Sequence, residues 1–273
     1  MISVVGSFAV GLTLRSDVFP AAGETRLARD FDQGPGGKGS NQAVQAARMG
    51  AAVEFVAAVG EDAFADMALG LYAAEGVGTR HLVTHSERNT GLGFIMLDDL
   101  GENRILLDPG ANELLSPADV AAAGPSIATS AVVATQLEIP VAAAAAAMAA
   151  GRRAGALTLL NPAPARTLAP DMLSSVDLLT PNQVEAHTLA GLSPEEEKSD
   201  DELCARLLDL GPSAVVLTRG ARGALLARGA ERIVIEPWPV EVIDSTGAGD
   251  AFSGTLAAAV ARGAALEDAI ERA

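Results

Sequence analysis

Short apolar runs alternate along this chain with longer runs of helical composition. Ile2-Ser3-Val4-Val5-Gly6 predicts a buried strand that ends in Gly-Ser. Val53 to Val59 predicts a strand and Asp62 to Glu75 a helix. The runs Ala131 to Thr135, Leu157 to Leu160, Val176 to Thr180 and Ala214 to Thr218 predict further strands, with helices at Val141 to Arg153 and Asp200 to Leu210. This βαβ rhythm predicts an α/β fold with a mostly parallel twisted sheet and helices on both faces. Ligands of such sheets bind beyond the carboxyl ends of the strands. The polar clusters of this chain fall there: Gly6-Ser7, Glu138, Asn161, Asn182 with Glu185, and Thr218.

Two segments break the rhythm. From Leu12 to Gln33 the pattern is irregular, punctuated by Pro20 and Gly23, and only Glu24 to Phe31 alternates as an exposed strand would. Thr90 to Leu97 and Asn103 to Leu107 flank the turn Asp98-Asp99-Leu100-Gly101-Glu102 and predict a β-hairpin. The two are expected to form a small separate sheet, a lid over residues 12–33 and 90–109 of one domain spanning 1–273. The alternative for the hairpin is an edge of the main sheet.

Two glycine-rich stretches carry the candidate chemistry. In Gly34-Pro35-Gly36-Gly37-Lys38-Gly39-Ser40-Asn41-Gln42-Ala43, the glycines fit G-x-G-x-x-G, but the residues before them are polar and not a buried strand. The P-loop pattern also fails, because Lys38 is followed by Gly39. Two readings remain: a loop that exposes backbone to a polyhydroxyl ligand, with Asn41 at a helix start, or a structural turn capped by Asn41. The second stretch is Asp244-Ser245-Thr246-Gly247-Ala248-Gly249-Asp250, between the strand-like Val240 to Ile243 and the apolar helical run Ala251 to Val260. Unpaired amides at a helix start bind anions. Asp250 either caps this helix or takes a proton from a hydroxyl while the amides hold charge developing on a phosphoryl group. Its place among the other strand-end clusters favours the base.

Composition narrows the partners. The 273 residues, 49% hydrophobic, suffice for one large α/β domain. Lys+Arg 19 against Asp+Glu 35 gives −16, which repels nucleic acid and anionic membrane and excludes both as expected partners. It also repels a free nucleotide, so a phosphate ligand needs a local nest of amides and a metal ion. Cys204 is the single cysteine, which rules out an internal disulfide. His81, His85 and His187 lack metal-ligand spacing. Glu195-Glu196-Glu197 reads as a solvated helix-start face. No basic region precedes the first apolar residues and no run is long enough to span a bilayer, so the expected location is cytoplasmic.

Seven motifs in order resemble the ribokinase-like (PfkB) family of carbohydrate kinases. Gly36 to Ala43 resembles its first signature and Asp244 to Phe252 its second. Between them lie Gly110-Ala111-Asn112, Gln136-Leu137-Glu138, Asn161-Pro162-Ala163-Pro164-Ala165, Thr180-Pro181-Asn182-Gln183-Val184-Glu185 and Thr218-Arg219-Gly220-Ala221-Arg222-Gly223. The resemblance implies ATP-dependent phosphorylation of the primary hydroxyl of a small sugar, D-ribose to ribose 5-phosphate first. It makes Asp250 the base and Gly247, Ala248 and Gly249 the anion hole. Gly36, Gly37, Lys38, Gly39, Ser40, Asn41 and Glu138 would contact the sugar. Asn182 and Thr218, Arg219, Gly220, Ala221, Arg222 and Gly223, with Gly249, would line ATP. Glu185 would act on Mg2+ indirectly, and Asp244 and Thr246 would hold an activating K+. A homodimer through the lid is implied as well.

Two departures from the family pattern bear on the substrate. Ala9 and Gly11 stand where the family carries Asn and Asp to grip the sugar. Family members also usually continue past the equivalent of Ala273, so the C-terminal part of the family domain is expected to be missing. The rival expectations are another sugar or a nucleoside on the same fold (fructose-like, deoxyribose, keto-sugar acid), or a catalytically weak sugar- or nucleotide-binding protein.

Overall fold

The computed structural model describes residues 1–193, 196–242 and 244–273. The first part of the chain comprises β1 Ile2–Val5, β2 Ala9–Arg15, β3 Arg29–Gly36, α1 Lys38–Arg48, β4 Val53–Gly60, α2 Ala63–Glu75, β5 Val77–His85, β6 Gly91–Leu97 and β7 Asn103–Asp108. The middle comprises α3 Pro117–Ala122, α4 Gly124–Ile127, β8 Val132–Thr135, α5 Val141–Ala154, β9 Leu157–Leu160, α6 Pro170–Leu173, β10 Leu178–Leu179, α7 Gln183–Leu189 and α8 Asp200–Asp209. The chain then forms β11 Ala214–Thr218, β12 Ala224–Arg228, β13 Glu231–Ile235, α9 Ala248–Ala261 and α10 Leu266–Arg272.

Nine strands make one sheet in the order β13-β12-β11-β10-β9-β8-β1-β4-β5. Its pairs are parallel except β11–β12 and β12–β13. The period of two expected of strands buried on both faces is visible residue by residue. Val53, Phe55, Ala57 and Val59 of β4 enter the core shared with α1, α2 and α9, while Val56 and Ala58 enter the core shared with α5 and α8. The alanine-rich α5 packs tightly against β8 and β9, burying Ala143, Ala144, Ala147, Met148 and Gly151. Its C-terminus stops at Gly155, in the left-handed conformation with φ 74°.

A second sheet of four strands, in the order β3-β2-β6-β7, stands apart from the first. The hairpin therefore belongs to the small sheet and not to the edge of the large one. The strand expected over Glu24 to Phe31 lies later, at Arg29–Gly36, because the glycine-rich stretch is itself extended up to Gly36. The irregular segment also hides β2, which pairs parallel with β6 from Ala9–Gly91 to Arg15–Leu97.

Three further expectations are corrected. Val240 to Val242 form no strand, and Ile243 lies outside the described residues. Pro237 and Pro239 lack the N–H that a ladder needs and separate these valines from β13. α1 begins at Lys38, so Asn41 sits inside its first turn and does not cap it; Gly37 holds that place with φ 89°. Glu195 of the acidic run lies outside the described residues, and the helix after it starts at Asp200, capped by Ser199.

The closest helix contact joins α1 and α9. A Cβ at Gly254 would lie 2.6 Å from the Gln42 carbonyl oxygen and 2.8 Å from Gln45 Cβ. Glycine there lets the two backbones meet. Gly254→Val is expected to lower stability by about 1–3 kcal/mol, the usual cost of overpacking, read as a lower denaturation midpoint with an unchanged m-value.

Candidate active site

The carboxyl ends of β1, β8, β9, β10 and β11 open on one side of the large sheet. Three adjoining cavities lie along that side. The first, about 470 Å³, is lined by Ala9, Glu138, Asn112 and Arg166 with Leu107 and Asp108 of the small sheet. The central one, about 200 Å³, is lined by Lys38, Asn161, Asn182, Glu185, Gly247, Gly249 and Asp250 among others. The third, about 460 Å³, has apolar walls from Ile235, Trp238, Val240, Phe252 and Ile270 and a polar edge from Asn182 and Thr218. The central and third cavities share Asn182, Thr218, Ala248, Gly249 and Phe252.

Asp250 stands in the first turn of α9 and is only 5% exposed. The capping alternative fails. Gly247 holds the N-cap position with φ 75°, and both oxygens of Asp250 turn to α1 instead. Oδ2 accepts from Asn41 Nδ2 and Oδ1 from Gln42 Nε2, each at 3.1 Å. Burial pushes the carboxyl above its ordinary value of 3.8, while Lys38, Asn41 and Gln42 pull it back and Glu138 pushes it up.

The amides around Asp250 differ from the expected set. Ala248 N–H donates to the Ser245 carbonyl at 3.1 Å, so it is not free for an anion. Among the described residues, the amides of Gly249 and Asp250 have no backbone carbonyl partner. Asp244 Oδ1 accepts the Thr246 amide at 2.8 Å in an exposed turn, which lowers the Asp244 carboxyl.

Glu138 ties the end of β1 to the start of α1. Its Oε2 accepts from Ser7 Oγ at 2.6 Å and from the Lys38 amide at 2.8 Å. Gly37 makes that approach feasible, since a Cβ there would lie 2.8 Å from the Ala9 nitrogen. Of the expected sugar contacts, Gly39 and Ser40 are buried beneath this contact, and Ser40 Oγ has no hydrogen-bond partner. They support the site from below and do not line it. Gly36, Gly37 and Asn41 remain partly accessible, and the Lys38 side chain enters the central cavity.

Asn182 and Glu185 form a reciprocal cap at the start of α7. Asn182 Oδ1 accepts the Glu185 amide at 2.9 Å, and Glu185 Oε2 accepts the Asn182 amide at 2.8 Å. Burial raises the Glu185 carboxyl; the Asn182 amide and Lys38 lower it, and Asp250 raises it. In the 218–223 stretch, only Thr218, Gly220 and Gly223 line the third cavity. Arg219 turns inward, 11% exposed, donating to the carbonyls of Arg222 and Ala224 and pairing with Asp200 at 3.6 Å. Arg222 pairs with the same carboxylate at 3.2 Å. These arginines brace the loop, and Ala221 does not line the cavity.

Several lining residues carry no motif. Arg166 follows the Asn161-Pro162-Ala163-Pro164-Ala165 motif directly and its Nη2 donates to the Leu137 carbonyl at 2.8 Å. β12 and β13 show a period of two around Gly229-Ala230, a hairpin signal that would have exposed the third cavity's wall. Asp17 offers no replacement for the missing grip at residues 9 and 11: it pairs with Arg26 at 3.0 Å in an exposed segment. Among the described residues no cluster of three His, Cys, Asp or Glu residues fits a metal, and no helix is long and apolar enough to cross a membrane.

The pfkB family carbohydrate kinase model matches residues 1–273. The chain belongs to this family. Ribokinase of Haemophilus influenzae is 35% identical over 269 residues, covering 98% of this chain and 88% of the relative. Ribokinase of Bacillus subtilis is 38% identical, covering 98% and 88%. The structure of Arabidopsis thaliana ribokinase complexed with ribose and ATP superposes with a TM-score of 0.89 at 28% identity, covering 98% of this chain and 88% of that one. The chain is thus a ribokinase-like carbohydrate kinase.

A buried Asp whose carboxyl is raised costs stability once it ionises. The native state then binds more protons than the unfolded one above the ordinary value of 3.8, so stability falls as pH rises through that window. Asp250→Asn removes this cost. Its melting temperature at pH 7–8 is expected to equal or exceed wild type, with the difference shrinking toward pH 4, as thermal melts across pH would show.

Proposed function

We propose that this kinase transfers the γ-phosphoryl group of ATP to the primary hydroxyl of a small sugar, with D-ribose as substrate and ribose 5-phosphate as product. The observation that carries the proposal is the position of Asp250. It lines a small polar cavity beside Lys38 and the first turn of α9, and that cavity is continuous with one of apolar walls suited to a nucleobase. The similarity to ribokinases, one of them bound to ribose and ATP, supports the same reading.

The sugar lies between the first and central cavities: Glu138 accepts a hydroxyl in the first, the backbone of Gly36 and Gly37 and the side chain of Asn41 flank it, and its primary hydroxyl reaches Asp250 in the central one. Asp250 accepts the proton of the primary hydroxyl, and the oxygen attacks the γ-phosphorus in line with the departing ADP. The amides of Gly249 and Asp250, the half-charge of the α9 N-terminus and Lys38 hold the charge spread over the transferring group. Thr218, Gly220 and Gly223 line the nucleotide. Asn182 and Glu185 face the phosphates, and Glu185 fits an indirect, water-mediated contact with Mg2+, because a single carboxylate suits an ion that keeps several waters. Mg2+ held there would supply positive charge against the phosphates. Asp244 and Thr246 offer oxygen donors of the type K+ takes, in the turn leading to α9.

The four-stranded sheet serves as the lid. Its β7 reaches the first cavity through Leu107 and Asp108, so closing it would exclude water from the sugar. Its outer surface exposes Phe31 at 61% and Leu106 at 71%, which supports a homodimer through the lid. We place the reaction in the cytoplasm, where ATP is supplied.

A second reading, 2-deoxyribose in place of ribose, is favoured by one observation. Ala9 lines the sugar cavity where a polar side chain would grip a hydroxyl, and Gly11 adds none. A kinase panel of ribose, deoxyribose, fructose and nucleosides, with and without K+, tests both readings. Ribose is expected to give the highest kcat/KM, and a higher value for deoxyribose moves the assignment to the second. There is room for a side chain at Gly11, where the nearest atom to an added Cβ is 3.6 Å away. Gly11→Asp is expected to improve kcat/KM for ribose roughly tenfold or more, the worth of a charge-assisted hydrogen bond. Asp250→Asn is expected to lose about 10²–10⁴-fold in kcat while nucleotide still binds, measured by coupled assay and calorimetry. Turnover at the wild-type rate in that variant would remove Asp250 from the role of base.

A further inference from the structure

Gln42 lies in the first signature and Gln136 just before Glu138, yet neither has a part in the reaction described so far. Both are almost entirely enclosed: Gln42 is 1% exposed and Gln136 0%. A buried amide must place each of its polar atoms, and here the placement is dictated by a backbone carbonyl. The Thr180 carbonyl can only accept, so Asn161 turns Nδ2 to it, at 2.9 Å. Asn161 Oδ1 is thereby left facing Gln42, whose Nε2 donates to it at 3.2 Å. The same Nε2 donates to Asp250 Oδ1 at 3.1 Å. On the far side, Gln42 Oε1 accepts from Gln136 Nε2 at 2.6 Å. With the opposite amide orientation, Gln42 Oε1 would face the oxygens of both Asp250 and Asn161, and the NH2 groups of Gln42 and Gln136 would face each other.

We propose that Gln42 is a positioning residue for the base Asp250, and that Asn161 and Gln136 set the polarity of its amide so that Nε2 always faces the carboxylate. The proposal rests on Asp250 being the base. Gln42 lines none of the three cavities; it reaches the site through Asp250 and Asn161, and of these two only Asp250 titrates. It orients one carboxylate oxygen, leaves that oxygen's remaining lone pairs toward the substrate, and favours the ionised form that can accept a proton. Gln136 is held there at some cost, since its Oε1 has no hydrogen-bond partner. It also requires glycine at residue 6, where a Cβ would lie 2.2 Å from that oxygen.

Other charged groups face Asp250: Lys38 from α1, Glu138 beyond β8, and Glu185 from α7. Gln42 bonds none of them, so its removal should move only the titration of Asp250. The test is the pH–rate profile of Gln42→Leu and Gln136→Leu, with KM for ribose and for ATP at each pH. Gln42→Leu is expected to lower kcat at neutral pH roughly 10–100-fold, the loss of one hydrogen bond to a charged group. The acidic limb of its kcat profile moves to higher pH, both KM values stay within about threefold, and activity recovers at alkaline pH. Gln136→Leu moves the limb in the same direction by less, because Gln42 keeps its donor but loses its lock; it serves alone if Gln42→Leu does not fold. An acidic limb that stays in place, or a loss of activity equal at all pH values, overturns the proposal. Asp250→Asn in the same assay separates the two levels of the argument. If it is inactive while the limb in Gln42→Leu is unmoved, only the positioning role falls. If it turns over at the wild-type rate, the base falls with it.

Discussion

The buried carboxyl of Asp250 is the constraint on which this molecule depends. Asp250 is taken out of water on α9 and given its hydrogen bonds by side chains of α1, a helix 208 positions away in sequence. Desolvation opposes its charge, and a neighbouring lysine and two amide donors oppose the desolvation. That balance requires the two helices to lie closer than side chains ordinarily allow, and glycine at residue 254 provides the approach. The core under the pair, with Val44, Phe55, Leu256 and Ala258, keeps it rigid.

The rest of the fold brings other polar groups to that point. Parallel strands end together, so their loops converge on one rim and Glu138, Asn161, Asn182 and Thr218 arrive from four different strands. The chain as a whole carries −16 and repels nucleotides at a distance. At the rim, Lys38 and the N-terminus of α9 supply local positive charge. Acidic groups there are tied up: Glu185 by its own cap and Glu138 by Ser7 and the Lys38 amide. The small sheet adds Leu107 and Asp108 to the wall of the first cavity.

Much of this was legible in the order of residues, and the misses have physical causes. Strands flanked by helices declare themselves by runs such as Val53 to Val59, because burial on both faces forces continuous apolar sequence. β5 and β2 were invisible because each is half-exposed and its alternation is diluted by Gly78, His81, Gly11 and Thr13. Val240 to Val242 read as a strand because valines favour one. A strand also needs a partner, and the prolines before it withhold one. The arginines of the 218–223 loop look like phosphate ligands by type, but their guanidinium groups are spent on Asp200 and backbone carbonyls.

The periodicities, the turn glycines, the net charge and the ordered motifs that mark a carbohydrate kinase can be read from the order of residues, because none of them depends on which residues meet in space. Whether Asp250 caps its helix or turns its carboxylate to other partners at a cavity could not be decided that way. The choice depends on what lies across from it, and only the tertiary structure sets Asn41 and Gln42 within hydrogen-bond reach. The same holds for Ser40, which carries a ligand-like hydroxyl and is sealed under the site, and for Gln42, an ordinary residue of an amphipathic helix until Thr180, Asn161 and Gln136 fix the direction of its amide. Local sequence sets what a residue is able to donate or accept; packing decides which partner is there to receive it.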